Sequence, residues 1–303
     1  MTKRTITLGM AFILSLFAFT GCSNSKSSQM ANELRFSLKE ISSLTISYDE
    51  ERITFFENDG DDLVIKEYMT ENKSSYYANV TERNESIHIS EGGKPFFKGG
   101  FSRYIEVYLP KSYHENLTVT STNGDIDFSD MSIDSSMLRI DNSSGNVTLD
   151  NAVGSDIYIS STSGTLDLGN IQANQIRLET TSGSISCTEL NGNVTYTSTS
   201  GNADIKSAIG SGSYRANSSG NLNVVYSEVN GDLSFFNKND SITLTLPENL
   251  EFEFQALTKN GSISTNFQQD VTINGRTTSG VVGNNPTVTV KVETNNGDIE
   301  VTQ

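Results

Sequence analysis

The feature that most constrains this chain is a short segment that recurs about every 19 residues from position 121 onwards. Each copy places Ser, Thr or Asn before a glycine, and alternating apolar and polar residues follow, as in Ser161-Thr-Ser-Gly-Thr-Leu-Asp-Leu168. A fixed period of this length is typical of repeat proteins, in which each unit buries its apolar face by stacking on its neighbours. The recurring glycines are Gly124, Gly145, Gly164, Gly183, Gly201, Gly220, Gly261 and Gly297, and a weaker copy has Asp240 at the glycine position.

The residues on either side of each glycine alternate with the period of two that a half-buried strand shows. Around Gly145, Leu138 and Ile140 come before the glycine and Val147 and Leu149 after it, with polar residues between them. The pattern predicts an all-β, single-domain β-solenoid, similar to a β-helix, whose rungs of about 19 residues stack about 4.8 Å apart. The general preference for right-handed connections predicts a right-handed coil.

The regular rungs are predicted over residues 116–303. Residues 31–115 lack the glycine signature but keep a strand-like alternation, for example in Leu44-Thr-Ile46. We expect them to form irregular first rungs that cap the solenoid, because an open sheet edge invites strand addition. No Pro- or Gly-rich linker separates the two parts, so residues 31–303 are expected to form one domain.

The repeated glycine is predicted to lie at a corner where two strands meet. Glycine there allows a positive φ without steric cost. The Ser, Thr or Asn residue before it can hydrogen-bond the local backbone and hold the bend. Stacked in register, these polar residues are expected to form a ladder along one edge.

The N-terminus has the pattern of a secretory signal. Lys3 and Arg4 precede the apolar run Ile6 to Phe19, which is shorter than the roughly 20 residues of a membrane span. The following Gly21-Cys22 resembles the lipobox of bacterial lipoproteins, which implies cleavage after residue 21 and a lipid on Cys22. Residues 1–21 are therefore predicted to be a signal peptide and residues 22–30 a lipid-anchored tether. The alternative is plain secretion with an incidental cysteine.

The predicted anchor places the protein outside the cytoplasm, on the outer face of the plasma membrane or, in a diderm bacterium, on the outer membrane. The chain has 21 basic and 37 acidic side chains, and loss of Lys3 and Arg4 leaves 19 − 37 = −18. Nucleic acid needs a basic surface and is excluded as a partner. The negative charge favours a cationic peptide or protein as the partner. The same charge also keeps a protein soluble, whether or not it has such a partner.

The sequence offers no recognisable catalytic, metal or cofactor site. Its two histidines, His88 and His114, stand at outward strand positions, and no Gly-x-Ser-x-Gly, EF-hand or calcium-binding nonapeptide pattern is present. Cys187 occupies a position that is apolar in the other rungs, so we expect a buried thiol acting as a small hydrophobe. The enzyme alternative, a carbohydrate-active β-helix, requires converging carboxylates with raised pKa, and we expect no such pair.

Two surfaces are candidates for binding. A stripe six residues before successive glycines contains Arg139, Tyr158, Arg177 and Tyr214, which can bind glycan, peptide or carboxylate groups or simply pair across strands. The second is a basic aromatic segment within an acidic chain. It either touches lipid or envelope glycan, or folds Phe96 and Phe97 under the cap. Its candidate residues are Lys94, Phe96, Phe97, Lys98, Phe101, Arg103 and Tyr104.

The repeated [ST]-x-[SN]-G signature resembles the bacterial family of adhesin-like β-strand-repeat domains. The steps Val107-Tyr-Leu-Pro110 and Leu244-Thr-Leu-Pro247, and the closing segment from Val288 to Val301, match that family's pattern. The resemblance spans roughly residues 40–303 and is structural, so it carries over no catalytic residue. It implies a role at the cell surface, including in the envelope-stress response.

Together these features predict a non-enzymatic cell-surface lipoprotein that presents a β-solenoid for adhesion, ligand binding or envelope-stress sensing. Its expected partners are the membrane, through the lipid on Cys22, and a cationic peptide, a protein or an envelope glycan. The alternatives are a carbohydrate-active enzyme on a β-helix and a structural spacer without a ligand.

Overall fold

The computed structural model describes residues 27–96, 99–267 and 271–303. In them, 21 strands form one continuous hydrogen-bonded sheet, with a single 3-10 turn at Ser74–Tyr76. The fold is all-β, as predicted. The strands are β1 (Gln29–Ser37), β2 (Ser43–Tyr48), β3 (Arg52–Asn58), β4 (Asp62–Met69), β5 (Asn79–Arg83), β6 (Ser86–Ser90), β7 (Arg103–Pro110), β8 (Asn116–Ser121), β9 (Ile126–Asn142), β10 (Val147–Ser161), β11 (Leu166–Thr180), β12 (Ile185–Ser198), β13 (Ala203–Ala216), β14 (Leu222–Asn237), β15 (Ile242–Thr245), β16 (Phe252–Thr258), β17 (Ile263–Thr265), β18 (Val271–Asn274), β19 (Thr277–Val282), β20 (Val288–Thr294) and β21 (Ile299–Thr302).

The regular part consists of the long strands β9 to β14, which pair in parallel along their whole length. Each of these long strands bends and so supplies two sides of a rung. The sequence had suggested two or three separate short strands for each rung. Equivalent apolar residues are register partners, such as Leu149 with Leu168 and Ile157 with Ile176. Their side chains stack into one apolar core that runs from Leu38 to Val301. This is the predicted β-solenoid.

At both ends the spatial order of the rungs differs from their order in the chain. Strands β2 and β3 lie between β6 and β7 on one side and β8 and β9 on the other. Strands β20 and β21 lie between β14 and β15 on one side and β16 and β17 on the other. The segment from Val288 to Val301, which resembles a last rung, is therefore the second to last in space.

Antiparallel strands cover both ends. The N-terminal cap contains the pairs β1–β4, β4–β7 and β5–β6. At the other end, β19 runs antiparallel to β16 and forms a hairpin with β18. The C-terminal hairpin interrupts the repeat series and was not anticipated from the sequence.

The corner glycines are required for close stacking of the rungs. A Cβ atom on Gly164 would lie 1.8 Å from the carbonyl oxygen of Gly145, and one on Gly145 would lie 2.0 Å from that of Gly124. Similar approaches of 1.8 to 2.2 Å occur at Gly124, Gly183, Gly201, Gly220, Gly261 and Gly297. Of the eight, only Gly220 has a positive φ, +114°. The tolerance of a positive φ that the sequence suggested as the reason for glycine is therefore used at one corner, and close approach of the neighbouring rung explains glycine at the other seven.

The polar ladder before the glycines is present and buried. Ser161 Oγ accepts a hydrogen bond from the Gly164 backbone N–H at 3.0 Å, and Asn142 does the same for Gly145 at 3.1 Å. One corner departs from the pattern, because the loop before Gly220 is one residue longer and puts Ala216 opposite Ser198. There the Asp240 carboxylate accepts from the Gly220 N–H at 2.6 Å, which explains the acidic residue in the weaker repeat.

Candidate functional site

A buried ion cluster lies at the N-terminal end of the solenoid, formed by Glu51, Glu91, Lys94 and Arg103. Arg103 Nη2 is 2.9 Å from Glu51 Oε1 and 3.0 Å from Glu91 Oε1. Its Nη1 donates to the Tyr76 carbonyl at 2.6 Å, and its side chain is fully buried. Lys94 Nζ is 2.6 Å from Glu91 Oε1 and 3.4 Å from Glu51 Oε1, with 14% of its side chain exposed. Lys94 and Arg103 were expected on a binding surface, and both predictions were wrong, because these cations neutralise carboxylates inside the cap.

Two carboxylates converge in this cluster, and only one of them has the raised pKa that a catalytic pair was expected to require. Burial and a hydrogen bond with Glu51 raise the pKa of Glu91. Burial pushes the pKa of Glu51 up as well, but its hydrogen bond with Glu91 and the charges of Arg103 and Lys94 outweigh this and lower it. Arg103 and Lys94 contact Oε1 of both carboxylates, and the Oε2 atoms accept hydrogen bonds from the backbone N–H groups of Asp49 and Glu50. The arrangement joins the start of β3 to the segment between β6 and β7.

Glu67 on β4 is a further buried carboxyl in this cap, outside the ion cluster. Its Oε2 accepts hydrogen bonds from Asn32 Nδ2 at 2.7 Å and from the Ala78 N–H at 2.9 Å, and Oε1 lies 3.4 Å from the Tyr48 hydroxyl. Burial is the largest influence on Glu67 and raises its pKa in spite of these donors. The folded protein therefore binds this proton more tightly than the unfolded chain does.

We expect Glu67→Gln to raise stability at neutral pH. With Glu67 present, stability falls as pH rises from the ordinary glutamate pKa through the raised folded value, and a glutamine has no such dependence. The amide oxygen can keep the Asn32 and Ala78 bonds. Thermal unfolding from pH 4 to pH 8 should show a flatter pH profile in the variant. The matched change Glu82→Gln, on an exposed side chain, should leave the profile as it is, and an unchanged profile in Glu67→Gln would contradict the prediction.

The regular rungs carry the predicted stripe only in part. Arg139, Tyr158 and Arg177 are register partners on β9, β10 and β11. The guanidinium carbons of Arg139 and Arg177 lie 4.3 and 5.6 Å from the centre of the Tyr158 ring, so the ring is held between two cations. Each arginine also pairs with the acid two residues later, through bonds of 2.6 Å to Asp141 and 2.7 Å to Glu179. Cross-strand pairing thus accounts for these three residues.

Tyr214 does not belong to the stripe. Its register partner is Tyr196, its ring stacks on Phe235 at 4.8 Å, and it is only 1% exposed. The exposed position opposite Thr195 is Ser213. The prediction took the residue six positions before Gly220, as in the other rungs. The corner before Gly220 contains one extra residue, so the stripe position is Ser213 and not Tyr214.

An outward-facing group of aromatic rings, the tyrosine platform, covers the cap sheet. It consists of Phe56, Tyr68, Tyr104 and Tyr108, on strands β3, β4 and β7. Tyr68 stacks on Tyr104 with ring centres 4.5 Å apart, and Phe56 stacks on Tyr108 at 5.2 Å. The inward residues of the same strands, such as Ile105, fill the core. The platform therefore exists in addition to the core packing and is not part of it.

Glu106 lies at the centre of the platform. Its Oε2 accepts hydrogen bonds from the hydroxyls of Tyr68 at 3.0 Å and Tyr108 at 2.9 Å. Partial burial and the Glu106 carboxylate raise the pKa of Tyr108 to about 12, so the phenol stays protonated at neutral pH. Lys66 Nζ sits 4.3 Å from the centre of the Tyr108 ring. The site combines aromatic faces with a fixed carboxylate, a combination that suits a cation.

Sequence reasoning identified Tyr104 alone among the platform residues. The available signal was the alternation Tyr104-x-Glu106-x-Tyr108 opposite the apolar Ile105 and Val107. It went unused because the glycine repeat does not extend into this part of the chain.

The segment before β7 is exposed at Phe96 and tied to the N-terminus. Phe96 is 93% exposed, so it does not fold under the cap. Phe101 is half-buried, with its ring centre 5.3 Å from that of Tyr76. Phe97 and Lys98 lie outside the described residues, as do the signal peptide and Cys22. The hydroxyls of Ser28 and Ser102 are 3.0 Å apart, so the chain enters the domain beside this segment.

The histidines and Cys187 are the remaining candidate groups within residues 27–96, 99–267 and 271–303. In the described ranges, no group of three or more His, Cys, Asp or Glu side chains could hold a metal ion. His88 is exposed on β6, and His114 Nδ1 lies 3.3 Å from Asp134 Oδ2 at the surface. Cys187 is buried as predicted, and burial raises its pKa to about 12. No helix among these residues is long and apolar enough to cross a membrane.

The chain was compared with known proteins. A family model described as Toastrack DUF4097 matches residues 41–302. No curated protein matches significantly. A solved structure of a candidate adhesin from Bacteroides fragilis is 12% identical, covers 89% of this chain and 96% of its own, and has a TM-score of 0.38. A candidate adhesin from Parabacteroides distasonis is 11% identical, covers 89% of this chain and 96% of its own, and has a TM-score of 0.35. A candidate cell adhesion protein from Clostridium sporogenes is 10% identical, covers 90% of this chain and 99% of its own, and has a TM-score of 0.29.

The family match covers the irregular N-terminal strands as well as the glycine repeats, and it agrees with the resemblance to adhesin-like β-strand-repeat domains. The chain belongs to the Toastrack DUF4097 family.

Proposed function

We propose that this protein is a non-enzymatic, lipid-anchored protein of the bacterial cell envelope that binds a cationic segment of a peptide or protein on the tyrosine platform. The observation that carries this proposal is the outward placement of four aromatic rings around the Glu106 carboxylate. Aromatic faces attract ammonium and guanidinium groups, and a neighbouring carboxylate adds an ion pair.

The charge of the molecule supports a cationic ligand. The predicted mature chain has a net charge of −18, from 19 basic and 37 acidic side chains. Arginines on the outer faces are largely engaged within the chain, for example Arg139 with Asp141 and Arg52 with Asp127. An acidic field of this kind raises the local concentration of cations and speeds their association. Lys66 over Tyr108 is an intramolecular example of the proposed contact.

The location is proposed from the N-terminal sequence and from the family. Cleavage after residue 21 and a lipid on Cys22 would hold the solenoid outside the cytoplasm, on the plasma membrane or on the outer membrane of a diderm bacterium. Adhesin-like relatives agree with exposure at the surface, and adhesion through a cationic protein segment fits the same platform. The enzyme alternative receives less support, because Arg103 and Lys94 occupy the converging carboxylates.

The test is a titration of the mature chain with a lysine- and arginine-rich peptide at low and at high salt. We expect binding that weakens with salt, and Tyr104→Ala should weaken it roughly 3- to 10-fold, since one cation–π contact contributes about 1 kcal/mol. The control is Tyr158→Ala, which removes an outward tyrosine from the regular rungs and should leave the affinity unchanged.

Other outcomes would redirect the proposal. If Tyr158→Ala and not Tyr104→Ala lowers the affinity, binding belongs to the Arg139–Arg177 stripe. Salt-insensitive binding to an envelope glycan would replace the cationic ligand by a carbohydrate. The absence of binding to peptide and glycan alike would favour the spacer alternative.

A further inference from the structure

We infer that an apolar rim formed by Met30, Phe96 and Phe101 rests in the interfacial layer of the lipid bilayer and fixes the orientation of the solenoid on the membrane. This inference builds on the lipid anchor of the proposed function. Phe96 and Met30 are the two most exposed large apolar side chains among the described residues, at 93% and 49%. Both lie in the N-terminal cap, Met30 on β1 and Phe96 in the segment between β6 and β7.

A hydrogen bond brings the start of the described chain, which carries Met30, beside the segment that carries Phe101. The Ser28 and Ser102 hydroxyls are 3.0 Å apart. Ser28 is two residues before Met30, and Ser102 directly follows Phe101. Thr70 Oγ1 donates to the Gly100 carbonyl at 3.0 Å and accepts from the Ser102 N–H at 3.0 Å. Met30 is the register partner of Tyr68, so the rim continues into the first row of the tyrosine platform.

The segment that presents Phe96 is held in place on its N-terminal side. The Gly93 N–H donates to the Ser75 carbonyl at 2.9 Å, and a Cβ atom on Gly92 would lie 2.0 Å from the Tyr77 carbonyl oxygen. Lys94, two residues before Phe96, is fixed in the buried ion cluster. The exposed ring therefore projects from a fixed base.

The position of the N-terminal segment identifies the occupant as lipid. Cys22 precedes Ser28 by six residues, which span at most about 20 Å of extended chain. A lipid on Cys22 would thus keep the rim beside the bilayer surface. The acidic body of the protein gains nothing from anionic lipid, so the contact must be apolar, and phenylalanine, methionine and tyrosine suit the interfacial layer. The lipid holds the protein on the membrane, and an apolar contact beside it would fix the orientation of the solenoid.

The chain contains no tryptophan, which makes a direct test possible. Phe96→Trp gives a single-tryptophan protein whose emission reports the environment of the rim. The mature chain, beginning at Cys22, is coupled through the Cys22 thiol to a maleimide lipid in neutral phosphatidylcholine vesicles. Cys187 will not compete, since it is buried and its pKa is raised to about 12. The control is Val281→Trp, an exposed apolar position in the C-terminal hairpin.

On vesicles, Trp emission from the Phe96→Trp protein should shift to the blue and lose about half its intensity to doxyl-labelled lipid, as a ring buried 5–10 Å deep would. Emission from the Val281→Trp protein should not change. Identical spectra of Phe96→Trp with and without vesicles would overturn the inference, and so would a concentration-dependent shift without vesicles, which indicates contact with a second copy. Because the tether is supplied chemically, these readings do not depend on native lipidation. The native anchor is tested separately, by the mass of the N-terminal peptide from cell membranes.

Discussion

Replacing Gly164 by alanine is expected to lower the free energy of unfolding by about 3 kcal/mol, at the upper end of the usual cost of overpacking. The new Cβ would lie 1.8 Å from the Gly145 carbonyl oxygen, far inside van der Waals contact. That oxygen belongs to backbone, and the parallel ladder of β10 and β11 fixes both rungs on either side of the corner. Relief requires separating two rungs, which weakens their hydrogen bonds. Urea unfolding of the purified domain measures the change.

Gly99→Ala is the matched control for this prediction. Gly99 has no atom within 4 Å of a Cβ and has no positive φ, so the substitution adds a methyl group in open space. Its effect should stay within about 0.5 kcal/mol. If Gly164→Ala and Gly99→Ala cost the same, the corner glycines are not needed for rung stacking.

Replacing Arg103 by methionine should cost about 3–5 kcal/mol, because it removes the fully buried cation of the cluster and leaves Lys94 alone against Glu51 and Glu91. The same change at Arg177, whose side chain is 61% exposed in a surface ion pair, should cost at most about 1 kcal/mol. Adding Glu51→Gln to Arg103→Met should recover part of the loss, since Lys94 then faces one carboxylate instead of two. Equal losses at Arg103 and Arg177 would show that the cluster contributes no more than a surface pair.

The pH dependence provides an independent reading of the same cluster. The folded pKa of Glu51 is lowered, so its contribution to stability is present above the unfolded glutamate pKa and is lost as pH falls through the folded value. Without Arg103 the lowering of the Glu51 pKa should be smaller, while the hydrogen bond with Glu91 and the charge of Lys94 remain. The destabilisation caused by Arg103→Met should therefore be greatest at neutral pH and shrink in acid, which thermal unfolding at pH 7 and pH 3 can measure.

The architecture was predictable because the information for it is local and repeated. Alternation around each glycine assigns the inward residues, and it placed Cys187 and the apolar columns correctly. The spatial order of the end rungs was not predictable, because an inward apolar residue stacks equally well on either neighbouring rung. Tyr214 was misplaced for a related reason, since a count from the glycine cannot register one extra residue in a corner.

The cap escaped prediction because its contacts join residues far apart in the chain. Glu51 and Arg103 are 52 residues apart, and each stands at a strand end where periodicity carries no signal. A basic residue in an acidic protein suggested a surface for ligands, whereas burial gave Lys94 and Arg103 acidic partners inside. The exposure of Phe96 was left open as one of two alternatives, because sequence alone does not tell whether a loop aromatic turns inward or outward.

The exchanged order of rungs at the C-terminal end sets a requirement on how the protein can be completed during synthesis. A solenoid whose rungs follow the chain could grow by adding each turn to the last as it emerges. Here residues 252–265 lack their parallel neighbour until residues 288–302 have been synthesised. Residues 288–302 then pair along one edge with residues 252–265 and along the other edge with β14 and β15. The last rungs of the solenoid must therefore form together, in one cooperative step, after both segments have been synthesised.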